Sequence, residues 1–237
     1  MTISVEAIQI HKVNGPWRTL EAIAFDMVKD AERTAKSNMA AALGGGTRLM
    51  LAMNHSISDD VDIFIPDPQW LGYLSPRLND RFEEVGKDYD ENAISLKLYL
   101  DGGQIDFIVR SPLMGLQNTA SSDSTFLLEP VMEVLAKKLF HRGWSLTPRD
   151  LFDWYCIESN ELLSNEQQLT QVLERKFDEI SLALVAMSSS PSAELIWSAI
   201  RTHSLPNMQE TICWAKHRIS QLSAKPFDNT RYRPKGP

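Results

Sequence analysis

Cysteine is scarce in this chain: Cys156 and Cys213 are the only two in 237 residues. Each sits in a helical pattern, which predicts buried free thiols and not a disulfide framework. No apolar run approaches the roughly 20 residues that cross a bilayer, so no membrane partner is expected. The opening MTISVEAIQIHKVNGPW has no basic start followed by an unbroken apolar core. No secretory leader is therefore expected, and the chain reads as cytoplasmic. Positive charge is also short: 24 Lys and Arg stand against 31 Asp and Glu, a net charge of −7. That balance excludes a broad non-specific nucleic-acid surface and leaves room only for local basic sites. The closing RYRPKGP, with Arg231, Arg233 and Lys235 around Tyr232, reads as a frayed tail or as a nucleic-acid contact. Internal repeats and long low-complexity segments are missing as well.

What is present is an ordinary globular composition, 43% hydrophobic and 23% charged, long enough for one domain or two small ones. Ile3, Val5, Ile8, Ile10 and Val13 fit either a short strand or a turn of helix. From Pro16, a stripe of Leu20, Ile23, Ala24, Met27, Val28 and Ala31 predicts a helix to about Ser37. Met39 to Leu43 reads as a first core strand, followed by glycines and a helix over Thr47 to Asn54. After Pro66-Asp67-Pro68 a polar helix through Trp70, Leu74 and Phe82 is expected, then an acidic loop over Gly86 to Asn92. Ile94, Leu96, Leu98 and Leu100 share one strand face, and Asp101-Gly102-Gly103 signals a hairpin into a strand over Gln104 to Arg110.

Beyond the polar link Gln117 to Ser124 the pattern is helical. Pro130 to Arg142 places Met132, Leu135 and Leu139 inward, and Thr147-Pro148 caps the next helix. Ser164 with Gln167 resembles a capping box for one long helix through Leu184. The SSSPS turn at Ser188 to Ser192 ends it. Two further helices follow, over Ala193 to Thr202 and Asn207 to Leu222. Trp144, Trp154 and Tyr155 read as core aromatics. His55 reads as an exposed or core histidine, with a polar contact in a site as the alternative.

The chemistry concentrates in Leu43 to Ile65, LGGGTRLMLAMNHSISDDVDIFI. Glycines before Thr47 let a backbone turn approach a phosphate closely, with helix amides aimed at it. Strand alternation puts Asp60 and Asp62 on one face and Val61, Ile63 and Ile65 on the other. Two carboxylates side by side repel unless a cation lies between them, and oxygen-only ligation suits Mg²⁺ carrying a nucleoside triphosphate. In the later strand, Asp106 shares a face with Ile108 and Arg110. A carboxylate amid apolar residues is costly unless paired or metal-bound, so Asp106 is the natural third carboxylate.

The glycine–hydroxyl turn followed by an Asp-x-Asp strand resembles the nucleotidyltransferase superfamily. A second block, LAKKLFHRGWSLTPRDLFDWY from Leu135 to Tyr155, is similar to one in the AbiEii/AbiGii-type nucleotidyltransferase toxins, which include the MenT-type toxins. The early motif of that family matches Gly45-Gly46-Thr47 and Ser58-Asp59-Asp60-Val61-Asp62. Ser56 stands where the family often has an arginine. The resemblance covers about residues 40 to 155.

It implies an α+β fold, with a minimal nucleotidyltransferase core of the DNA polymerase β type and a mixed sheet over 1–115. An α-helical domain over 125–237 would complete the cleft. It further implies that Asp60, Asp62 and Asp106 hold metal ions, with Asp106 also placed as catalytic base. Gly45, Gly46, Thr47 and Ser58 would meet the triphosphate. Lys138 would neutralise its charge, helped by Arg142 and Arg149, while Asp150 and Asp153 orient Lys138 or contact the nucleotide. Without the motif order, these helix charges would read as solvated surface residues.

The implied activity is Mg²⁺-dependent transfer of a nucleoside monophosphate from an NTP to an acceptor hydroxyl, such as the 3′ end of tRNA. The implied setting is the toxin of a bacterial toxin–antitoxin or abortive-infection pair, with a cognate antitoxin, often a winged-helix regulator. Two alternatives stand beside it: an antibiotic or small-molecule nucleotidyltransferase, and a non-catalytic nucleotide-binding module of the same fold.

Overall fold

The structure, a computed structural model, describes residues 2–82 and 85–224. The basic residues of the closing tail, from Arg231 on, lie outside them. The first segment resolves as helix: α1 spans Val5–Asn14, with the Ser4 hydroxyl accepting from the Ala7 amide at 3.1 Å. Helix α2, Trp17–Ala35, follows the stripe read from the sequence, and its apolar side is buried. Strand β1 keeps only Ala42–Leu43 of the segment expected to be extended. Helix α3, Gly45–Met53, begins directly in the glycines.

A six-stranded mixed sheet has the order β3 (Asp88–Asn92), β4 (Ser95–Leu100), β5 (Gly103–Val109), β2 (Val61–Ile65), β1 and β6 (Leu127–Leu128). Strand β2, Val61–Ile65, lies between antiparallel β1 and parallel β5, Gly103–Val109. Strand β4, Ser95–Leu100, pairs with β5 through the expected hairpin, where Gly102 takes a positive φ of 92° that favours glycine. Val61, Ile63, Ile65, Leu96, Leu98, Ile105 and Phe107 are buried together on one face, against α2. The central strands thus share one apolar side, and the polar residues between these positions point the other way.

Two strands depart from expectation. Asp88–Asn92, read as an acidic loop, is the edge strand β3, paired antiparallel with β4. Its residues are mostly exposed, and an edge strand tolerates charge because water solvates the outer row. Leu127–Leu128 forms β6, parallel to β1. With two residues it shows no alternation that a sequence pattern could reveal. The polar link before it is tied at both ends by buried carboxylates. Glu133 accepts from the amides of Leu113, Met114 and Leu116, at 2.9, 2.8 and 3.2 Å. Glu21 accepts from the Ser124 hydroxyl and the Thr125 amide.

The polar helix expected after Pro68 is short, α4 Gln69–Leu74, and Phe82 lies on a separate 3-10 turn. The second half is helical. Helix α5, Val131–Arg142, buries Met132, Leu135 and Leu139 as expected. Helix α6, Pro148–Ser159, starts with a reciprocal capping box between Thr147 and Asp150. The single long helix expected after Ser164 is two, α7 Glu166–Leu173 and α8 Phe177–Ser188. Asn165, with a left-handed φ of 53°, precedes the first of them, and Ser164 does not cap it. Helices α9, Pro191–Ser198, and α10, Met208–Ser223, complete the half, capped by Ser190 and Asn207. One apolar cluster fills this half and a second lies under the sheet; Leu49 of α3 packs into the helical one.

Cys156 is buried, but Cys213 is exposed, contrary to the reading of both thiols as buried. Trp154 is fully buried, whereas Trp144 is 70% exposed on a 3-10 turn, so it is not a core residue. No single helix among the described residues is long and apolar enough to cross a membrane.

Candidate active site

The polar face of the sheet carries a row of charge. Asp62 of β2 stands directly beside Asp106 of β5, which in turn faces Lys97 of β4. Parallel register puts paired residues on the same face, so the two carboxylates crowd each other. Burial, and then the Asp106 charge, push the Asp62 carboxyl above its usual range. Burial likewise raises Asp106, against the pull of Lys97 and Arg142. Lys97 Nζ lies 3.3 Å from Asp106 Oδ2, and Asp106 Oδ1 is buried without a hydrogen-bond partner. A buried carboxylate oxygen with no donor beside a second carboxylate is what a cation would satisfy.

Asp60 does not join that pair. Strand β2 begins at Val61, and Asp60 Oδ1 accepts from the Gln104 amide at 3.1 Å. Among the described residues no group of three or more His, Cys, Asp or Glu side chains is arranged to hold a metal ion. Asp60, Asp62 and Asp106 line one cavity, but only Asp62 and Asp106 stand side by side as the pair that fits a cation.

The glycine turn sits against this pair. Gly44 donates its amide to the Asp62 carbonyl at 2.9 Å, and Gly45 has φ 61°. A Cβ at Gly45 would come within 1.7 Å of Asp62 Oδ2, so glycine alone permits both the turn and the contact. Thr47 was expected on a phosphate, and the structure corrects this. It is fully buried, and its hydroxyl is bonded to Ser58 Oγ, at 3.0 Å, and to the Asp60 carbonyl. Its hydroxyl ties α3 to the loop that carries the acidic residues. Gly46 and Ser58 do face the cleft.

From the other side, α5 and α6 bring a clamp. Lys138 Nζ lies 2.6 Å from Asp150 Oδ1 and 3.0 Å from Asp153 Oδ2. Burial pulls the Lys138 ammonium toward deprotonation, but Asp150 and Asp153 outweigh it and hold the group above its usual range. Asp150 is itself held well below the usual carboxylate range, because Lys138 and Arg142 overcome its burial. Asp153 is lowered too, by Lys138 and by His55 against its burial. His55 Nε2 is 2.7 Å from Asp153 Oδ1, and the ring stacks on Phe152 at 5.6 Å between centroids. His55 is therefore both a core histidine and a polar contact behind the site.

A cavity of about 330 Å³ opens between sheet and helices. Gly46, Ser58, Asp60, Asp62, Asp106, Lys138, Arg142, Arg149, Asp150 and Asp153 all line it. Arg142 reaches Asp150 at 3.2 Å with its side chain 56% exposed, and Arg149 is exposed at the mouth. Gly45 lines a second cavity, which shares Asp62, Asp106, Lys138 and Arg142 with the first.

Sequence reasoning missed Lys97. Its position follows from the hairpin: with Leu100 opposite Gly103, Lys97 must face Asp106. It also missed Lys137, which is buried and ion-paired to Glu129. Nothing in local spacing separates Lys137 from its neighbour Lys138.

A family model described as "Nucleotidyl transferase AbiEii toxin, Type IV TA system" matches residues 31–212. No curated protein sequence matches the chain. Among solved structures, a candidate nucleotidyltransferase from Helicobacter pylori is 14% identical, with a TM-score of 0.44, over 86% of this chain and 92% of that one. JHP933 from Helicobacter pylori is 13% identical, with a TM-score of 0.44, over 89% of this chain and 93% of that one.

Proposed function

The chain belongs to the nucleotidyl transferase AbiEii toxin family of type IV toxin–antitoxin systems, and from that premise we propose how its cleft works. It transfers a nucleoside monophosphate from an NTP to an acceptor hydroxyl, releasing pyrophosphate. The acceptor that the family resemblance implies is the 3′ end of tRNA. The observation that carries this reading is the side-by-side pair Asp62 and Asp106, one oxygen of which is buried without a partner, opposite a lysine held charged by two aspartates.

Asp62 and Asp106 would hold Mg²⁺, with Asp60 at the rim of the same cavity. The ion would stabilise charge on the entering and leaving oxygens. The triphosphate lies along Gly46 and Ser58, where the α3 amides and dipole favour anions. Lys138 faces the negative charge that moves onto pyrophosphate. Its two aspartate partners keep it protonated and fix its direction, so little reorganisation is needed as that charge develops. Arg142 and Arg149 add charge at the mouth. Asp106, beside Asp62 on the cleft, takes the proton of the acceptor hydroxyl as that oxygen bonds to the α-phosphorus. The protein acts in the cytoplasm beside a cognate antitoxin, a winged-helix regulator in the family pattern.

Purified protein incubated with total tRNA, Mg²⁺ and each α-labelled NTP tests this reading, with Asp62→Ala as control. Label should pass to tRNA from one preferred NTP and be lost in the variant. Absence of metal-dependent NTP binding would sink the catalytic reading.

A further inference from the structure

Two cavities open on the Asp62–Asp106 pair, and a group-transfer enzyme has two substrates to seat. The first cavity carries Gly46, Ser58 and the Lys138 clamp, the features that suit a triphosphate. The second, of about 320 Å³, runs from the pair along β2, β5 and α5. Its make-up is different. Phe64 and Ile108, one step along the strands from Asp62 and Asp106, give it an apolar floor. Arg110, Lys137 and Arg142 supply its cationic groups, Lys137 ion-paired to Glu129 and Arg142 to Asp150.

Lys137 is the unusual member. It is 6% exposed, ion-paired to buried Glu129, and its ammonium lies 4.0 Å from the centre of the Phe64 ring. Glu129 is fixed in turn: its amide donates to the Leu43 carbonyl at 2.9 Å, and its own carbonyl accepts from Arg48 Nε at 2.6 Å. Glu129 Oε2 is buried without a partner. The Lys137 side chain lines the cavity beside the reacting carboxylates. His141, on the same cavity, registers the field: after burial, Arg110, Lys137 and Lys176 each push its imidazole toward the neutral form.

We propose that this second cavity is the acceptor site, and that it takes the terminal unit of a phosphate-bearing acceptor. The base or sugar would lie on Phe64 and Ile108, and a phosphate would meet Arg110 and Lys137, with the hydroxyl directed at Asp106. An apolar floor with a cationic rim is the general pattern for a single nucleotide unit of a strand. Among the described residues, no carboxylate beyond the Asp62–Asp106 pair lines this cavity for a polycationic aminoglycoside to meet. Glu129 is a positioning residue that holds Lys137 in place. This inference rests on the transferase reading and adds the cavity and the residues that seat the second substrate.

The test uses the full chain with Mg²⁺ and a non-hydrolysable NTP analogue. Two probes are titrated, a short fluorescent oligoribonucleotide with a free 3′ hydroxyl and a nucleoside 5′-monophosphate. Arg110→Gln removes one charge at the rim. The double variant Glu129→Gln/Lys137→Met removes the buried pair together, so neither charge is left alone. Each should weaken the strand, or the monophosphate if the acceptor is a free nucleotide, by about tenfold, the usual loss for one charge-assisted contact. The salt dependence should fall as well, and NTP-analogue affinity should not change. Arg110→Gln keeps the test decisive if the double variant fails to fold. Equal weakening of the NTP analogue would overturn the proposal, because the cavity would then be the nucleotide's. So would unchanged affinity for both probes, or displacement of the strand by kanamycin. If the wild-type protein binds no NTP at all, the transferase reading falls first and the acceptor site with it.

Discussion

The Thr202 hydroxyl donates to the His55 carbonyl at 2.6 Å, across 147 residues of sequence. Its neighbours act in the same direction. The Ile57 amide donates to the Arg201 carbonyl at 2.9 Å, and Arg201 ion-pairs with Asp59. The loop that delivers Asp60 and Asp62 is thus held by a segment between α9 and α10. Thr202→Val keeps the shape and leaves a buried carbonyl unpaired, a loss of about 1–3 kcal/mol. Urea unfolding should show that loss, with turnover falling in parallel; Thr202→Ser should restore both. Wild-type stability in the valine variant would mean that water replaces the bond.

Asp62→Asn should separate stability from function. The carboxyl is raised by burial and by Asp106, so its charge opposes the metal-free fold. The neutral isostere should melt at the same temperature as wild type or higher without Mg²⁺. It should lose the Mg²⁺-induced rise in Tm and the transferase activity. A variant that is destabilised yet still shifts with Mg²⁺ would remove Asp62 from the cation site.

Asp150→Asn should do the reverse. Its side chain is 1% exposed and faces Lys138, whose side chain is 13% exposed. Breaking a buried pair from one side typically removes about 3 kcal/mol or more. The cap on α6 weakens too, because Thr147 Oγ1 lies 2.7 Å from Asp150 Oδ2. Denaturant midpoints should fall accordingly. Lys138→Met should also destabilise and, in addition, weaken NTP binding. Unaltered NTP binding in Lys138→Met would assign the lysine to structure alone.

The two sets of carboxylates give opposite pH dependences. Asp62 and Asp106 are raised, so in the metal-free protein their favourable contribution is present at low pH and is lost as pH rises through their folded values. Asp150 and Asp153 are lowered, so theirs is present above the ordinary 3.8 and is lost as pH falls through their folded values. Mg²⁺ held by the raised pair would compete with its protons. The Mg²⁺-induced gain in Tm should therefore fade on acidification before the ordinary value of 3.8 is reached, while the metal-free protein is still folded. A gain constant from neutrality to that value would contradict the raised pair.

Legibility in the sequence followed the length and regularity of each element. Helices α2, α5 and α6, and the β4–β5 hairpin, were readable because several turns or alternations repeat the same signal. Asp62 and Asp106 were legible as carboxylates in otherwise apolar strands and Lys138, Asp150 and Asp153 through motif order, and the structure brings these residues to one cleft. What stayed hidden depends on partners far along the chain. Lys137 acquires its place only through Glu129, and Thr47 turns inward only because the Asp60 carbonyl is there to receive it. Trp144 looks apolar in composition, yet it sits on a short turn that leaves it in water.

Strand β6 also governs how this protein can be shortened. Leu127 and Leu128 complete the sheet beside β1, and the Glu129 amide continues the contact at the Leu43 carbonyl. A chain ending at residue 115, where the composition changes, would stop short of that strand. Its β1 edge would be left bare, with Leu43 and the glycine turn open to pairing with other molecules. During synthesis the same edge waits uncovered until residue 128 has emerged from the ribosome.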